Sequence, residues 1–176
     1  ASILAVMVSE VVPECPEDDF YGNAPAPLYL STALPLFRRS GLPASSIRDV
    51  TEAGIYITNA VKRPKRESAV PQEMIEESLP VLERELSLFP NLRAVMLMGD
   101  VAKKAFNMIA RSKTGKSAIP AGSTYKLRRT PFHAMGLRIF PSYIMTGRNL
   151  LIEKSKTAMA AEDIRAMLEF IRSQER

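Results

Sequence analysis

The chain is short of the residues on which much protein chemistry depends. Among its 176 residues are one cysteine, one histidine and no tryptophan. A lone Cys15 excludes an intrachain disulfide and any centre that needs several thiolates. A lone His133 excludes every multi-histidine metal site. No metal site and no cofactor is therefore expected. Long apolar runs are missing too: the longest, Ile3 to Val8, falls far short of the ~18 residues of a membrane span. No basic stretch followed by an apolar one marks a signal peptide, so the expectation is a cytoplasmic protein with no membrane partner. Bases are absent from residues 1–37, which carry Glu10, Glu14, Glu17, Asp18 and Asp19. Acids are nearly absent from residues 103–156, where Glu153 alone opposes twelve Lys and Arg. A basic stretch of that kind favours a polyanionic partner such as nucleic acid, although solvated basic loops also occur without one.

What remains is the composition of a folded domain, 46% hydrophobic and 24% charged, and residues 1–176 are read as one domain. Four apolar runs predict strands buried on both faces: Ile3–Val8, Ile55–Thr58, Ala94–Met98 and Leu137–Phe140. Helical spacing lies between them. Residues 71–89 place Met74, Ile75, Leu79, Leu82, Leu86 and Phe89 on one face, with Pro80 predicting a kink or two abutting helices. Asp100 is placed to cap a helix from Val101. Residues 28–40 give a weaker helix interrupted by Pro35, and residues 157–172 a C-terminal one. A basic excursion over 112–133 is expected to hold a short strand at Ser123–Arg128. Alternating strands and helices predict an α/β fold, a three-layer α/β/α sandwich around a mainly parallel four-stranded sheet.

Ala110 to Ser117, with Gly115-Lys116-Ser117 at its end, fits a relaxed phosphate-loop pattern. A phosphate loop follows a strand and opens a helix. This one follows a helix and runs into Ile119-Pro120, so a nucleoside triphosphatase is disfavoured.

In open parallel sheets the active crevice lies at the carboxyl ends of the strands. Those ends supply Ser9-Glu10, Asn59, Gly99-Asp100 and Phe140-Pro141-Ser142. Glu10 at such an edge suits a general base acting on water, or else a capping or solvated carboxylate. Phe20 and Tyr21 are loop aromatics suited to stacking on a planar base or to core burial. Asn59 offers a donor and an acceptor to one edge of a nucleobase, and is also a common strand terminator.

Taken in order, Ser9-Glu10-Val11-Val12-Pro13, Phe20-Tyr21, Tyr56-Ile-Thr-Asn59-Ala-Val-Lys62 and Phe140-Pro-Ser-Tyr143 resemble the uracil-DNA glycosylase superfamily. The likeness is to the branch that usually carries an iron–sulfur cluster, and it spans most of the chain. The resemblance implies a fold that flips a damaged base out of DNA and cleaves its N-glycosidic bond. It implies Glu10 as the residue that activates or orients the hydrolytic water, Phe20 or Tyr21 as the stacking ring, and Asn59 as the reader of the base edge beside Phe140. It further implies Ser142 on a backbone phosphate, with Lys62, Arg63, Lys65 and Arg66 nearby. Three departures stand out. Cys15 alone does not hold a cluster. Ser9 and Pro13 replace the glycines of the first motif. Phe140 stands where the family has a histidine that donates a hydrogen bond to the departing base. His133 is placed at the far end of the same strand and is expected to be structural. Restoring a histidine at 140 is expected to raise cleavage. The residues therefore leave three readings: an active glycosylase, a fold that binds nucleic acid or a nucleobase without cutting, and a hydrolase of another substrate in the same crevice. Lys113, Lys116, Lys126, Arg128 and Arg129 are the expected DNA contacts of the basic excursion.

Overall fold

The computed structural model describes residues 2–147, 150 and 153–173. Five strands form one sheet: β1 (Ala5–Val12), β2 (Ile55–Pro64), β3 (Ala94–Met98), β4 (Phe132–Ala134) and β5 (Leu137–Ser142), in the order β2-β1-β3-β5-β4. The first four strands of that order run parallel, and β4 lies antiparallel on β5 at the edge. Alternation along each strand divides the core. Ala5, Met7, Ile57, Met96 and Phe140 face one layer, with helices α1 (Leu28–Arg39) and α6 (Lys154–Ser173). Val6, Val8, Val95, Leu97 and Ile139 face the other, with α3 (Gln72–Ser87) and α4 (Asp100–Thr114). This is the three-layer α/β/α sandwich. Two short helices, α2 (Ile47–Glu52) and α5 (Thr124–Leu127), also lie among the described residues. Among the described residues no helix is long and apolar enough to cross a membrane.

Several local expectations are corrected. The sheet has five strands, because Phe132–Ala134 folds back on β5 through Met135 (φ 52°) and Gly136 (φ 76°). His133 therefore sits on β4, paired with Arg138, rather than on the strand that holds Phe140. Ser123–Arg128 forms the α5 turn and not a strand, with the Ser123 hydroxyl accepting from the Lys126 N–H. Pro80 does not divide α3, nor Pro35 α1. Both prolines lie on exposed faces, where water satisfies the carbonyl that the missing N–H leaves unpaired. Strands β1 and β2 run on past Ser9 and Asn59, pairing with each other beyond the end of β3. That overhang forms one wall of the crevice at the carboxyl edge.

Candidate active site

At that edge lies a cavity of about 930 Å³. Glu10 of the β1 overhang, Lys65 after β2, Gly99 after β3, Tyr125 of α5, Tyr143 after β5 and Lys156 of α6 all line it. The strand ends and the loops that follow them converge here because β2, β1, β3 and β5 are parallel.

Glu10 is held by backbone geometry. Its Oε2 accepts the N–H of Val101 at 2.8 Å, so it caps α4. The expected cap, Asp100, is instead the first helical residue. Its carboxylate is exposed and pairs with the Lys103 ammonium at 2.9 Å. Gly99, at φ 97°, makes room: a Cβ there would meet Glu10 Oε2 at 2.9 Å and Ile144 Cγ1 at 2.6 Å. Burial holds the Glu10 carboxyl above its usual range, against the lowering effect of the Val101 hydrogen bond, Lys65 and Lys103. The floor is Tyr29, whose hydroxyl donates to the Val11 carbonyl at 3.0 Å. Burial pushes its pKa up to about 12, so it stays a neutral phenol.

The other expected site residues do not gather around this cavity. Phe20 is buried and packs its ring 5.5 Å from that of Tyr29, one layer behind the floor. Tyr21 lies at the outer edge of the sheet, stacked on Tyr56 and accepting the Ile57 N–H with its hydroxyl at 3.1 Å. Asn59 is registered beside Ser9. Strand alternation therefore turns it to the α1 face, while Glu10 turns to the α4 face. Its Nδ2 donates to both carboxylate oxygens of Asp19, at 3.0 and 2.9 Å, and its buried Oδ1 has no partner. The single crevice shared by Glu10, Asn59, a loop aromatic and Phe140 is thus corrected to a cavity that contains only Glu10 of these.

Phe140 lies in the core, edge-on to Phe170, with the Arg138 guanidinium 4.4 Å from its ring centroid. A histidine there would bury an imidazole beside a cation and outside the cavity that holds Glu10. Phe140→His is therefore expected to destabilise the fold by roughly 1–3 kcal/mol and to add no cleavage, which urea unfolding and a uracil-strand assay would check.

The phosphate contacts divide in the same way. Ser142 is fully buried, its hydroxyl donating to Asp163 Oδ2 at 2.6 Å, so it presents nothing to a phosphate. Lys62 is paired with Glu85 and donates to Thr58 Oγ1, and Arg63 is paired with Glu77 at 3.1 Å. Arg66 is exposed away from the cavity, beside Met74. Only Lys65 of the four reaches the cavity. In the basic excursion, Lys116, Lys126 and Arg129 are exposed and Lys113 pairs with Glu83. Arg128 is buried, and its role is inside the fold.

Sequence reasoning passed over Tyr29, Tyr125 and Lys156. Tyr125 alone left a signal, an aromatic set among the basic residues of the 112–133 excursion.

Comparison with known proteins adds one finding. The model of a family described as the uracil DNA glycosylase superfamily matches residues 20–167, more than four-fifths of the chain. The matched span begins at Phe20, so Glu10 and β1 lie outside it. No curated protein matches the chain.

Proposed function

Because the chain belongs to the uracil DNA glycosylase superfamily, we propose that it binds DNA at the carboxyl edge of its sheet and hydrolyses the N-glycosidic bond of a flipped uracil or other deaminated base. The observation that carries this reading is Glu10, a half-buried carboxylate fixed by Val101 in the wall of the 930 Å³ cavity. One oxygen is committed to the α4 backbone. The other is left to accept a proton from water. The water oxygen then bonds to the anomeric carbon of the sugar, the carbon–nitrogen bond breaks, and its electron pair leaves on the base. Desolvation makes the carboxylate a stronger base than one in water, in keeping with that task. The cluster common in the related branch does not fit this chain, whose one cysteine, Cys15, is exposed.

One observation favours a second reading, recognition without cleavage. Position 140, where the resemblance puts a histidine donor, holds a phenyl ring buried in the core and outside the cavity, so it offers no donor to the charge that develops on a departing base. A single-turnover assay on oligonucleotides carrying uracil, hypoxanthine, xanthine or a mismatch separates the two. Release of any base supports hydrolysis; binding with no release on every substrate supports the second.

Nucleic-acid binding itself has a salt signature. Neutralising Lys116, Lys126 and Arg129 together is expected to flatten the log–log salt dependence of duplex binding, by about 0.9 for each phosphate that no longer meets a cation. An unchanged slope would make these residues a solvated surface only.

A further inference from the structure

Tyr125 is 70% exposed although the turn that carries it is bolted down on both sides. Thr124 Oγ1 accepts from the Lys103 ammonium at 2.7 Å, which ties the start of α5 to α4. Arg128, immediately after α5, is buried and donates to Asp163, to Glu162 and to the Met159 carbonyl, which ties its end to α6. Between these anchors the ring is held out over the cavity that contains Glu10. A large ring left in water on a rigid support loses little freedom when a flat partner covers it. Tyr143 lines the same cavity, steadied by a hydroxyl contact to Met159 Sδ at 3.8 Å and by the Lys156 ammonium 5.8 Å from its ring.

The charges around the cavity are largely balanced. Asp100 is paired with Lys103 and Glu153 with Lys156, each at 2.9 Å, and Lys65 acts on Glu10. Such a space suits an uncharged ring better than a phosphate. The unbalanced charge lies next door. A second groove of about 370 Å³ shares Asp100 and Gly122 with the cavity and runs along α4 past Lys104 and Arg111. Aromatic faces in a neutral trough, continuous with a basic groove, are the arrangement that holds an unpaired nucleic-acid strand: bases stack while the backbone tracks the cations.

We propose that Tyr125 is a stacking platform for a base of single-stranded nucleic acid, with the strand's backbone leaving along the Lys104–Arg111 groove. This rests on the nucleic-acid reading above and adds to it the strandedness of the ligand and the residue that selects for it. Stacking needs a π face and no hydroxyl, so Tyr125→Phe preserves it and Tyr125→Ala removes it. Tyr125→Trp would introduce the chain's only tryptophan, whose emission a stacked base quenches.

The test is fluorescence anisotropy with a labelled single-stranded oligothymidylate of about 12 nucleotides, beside a duplex of the same length. Tyr125→Ala is expected to weaken strand binding about 5- to 100-fold, and Tyr125→Phe to stay within about twofold of wild type. Titrating Tyr125→Trp with the unlabelled strand is expected to quench its fluorescence at the concentration at which anisotropy saturates. Unchanged affinity in Tyr125→Ala, or an unquenched tryptophan at saturation, would overturn the platform while leaving DNA binding standing. A duplex bound as tightly as the strand would overturn the single-strand assignment. Failure of wild type to bind either oligonucleotide would instead overturn the nucleic-acid reading itself.

Discussion

Arg128→Ala is expected to lower the free energy of unfolding by about 3–5 kcal/mol, the range for removing one partner of a buried ion pair. The side chain is only 4% exposed and its guanidinium reaches Asp163 Oδ1 at 3.0 Å. Asp163 is itself buried, and its other oxygen accepts from the Ser142 hydroxyl. Without the cation, an ionised Asp163 would keep one hydroxyl for company. Burial already holds its carboxyl above the usual range, against the pull of Ser142 and Arg128. Removing Arg128 raises it further. A carboxyl whose folded pKa is raised stabilises the fold fully below its unfolded pKa, and that contribution is lost as pH rises through the folded value. The deficit of Arg128→Ala relative to wild type should therefore shrink as the buffer is taken from neutral towards pH 4. Urea unfolding at several pH values measures this. The double variant Arg128→Met/Asp163→Leu, which removes both charges and keeps the volume, is expected to recover most of the deficit. A single variant as stable as wild type at pH 7 would mean that water reaches the network.

That network shows where the sequence could be interpreted and where it could not. The phosphate contact expected of the serine in Phe-Pro-Ser-Tyr follows from the family resemblance, and nothing local in the sequence speaks against it. The residue that occupies its hydroxyl, Asp163, lies 21 positions away on α6. Asn59 has the same history, since Asp19 is 40 positions from it. Long-range polar pairs leave no periodic trace in a sequence. Apolar strands do: Ala94–Met98, buried at every position, was legible as an unbroken run bounded by polar residues. Helices α3, α4 and α6 were legible by their stripes, although Pro80 was expected to kink or divide α3, whereas α1 was read as a weaker helix interrupted by Pro35 and the six-residue α2 was not read. Strand β4 and the α5 turn, of three and four residues, are too short to display any period. Glu10 was legible as a position, a carboxylate just beyond a buried run. Of the two suggested roles the capping one is seen, with Oε2 accepting the Val101 N–H of α4, and the general-base role is the one proposed above.

Glu10→Gln is expected to lower base release by about two to four orders of magnitude, the usual contribution of a positioned general base. DNA affinity should change little, because a carboxylate contributes no attractive contact to a phosphate. The substitution is conservative for the fold. The amide oxygen still accepts the Val101 N–H, so α4 keeps its cap, whereas Glu10→Ala loses it at a cost of about 0.5–2 kcal/mol. The pH dependence provides a second, independent check. Burial raises the folded pKa of Glu10 above 4.5. Its contribution to stability is therefore complete below the unfolded pKa and declines as pH rises through the folded one. Catalysis runs the other way, since only the ionised form accepts a proton. Wild-type cleavage should climb over the interval in which wild-type stability declines, and Glu10→Gln should lack both changes. Single-turnover rates and urea midpoints, measured on both proteins across pH 4–8, would show the opposed trends. Cleavage that is unaffected by Glu10→Gln would assign the water to another carboxylate, with Asp100 across the same cavity the first to test.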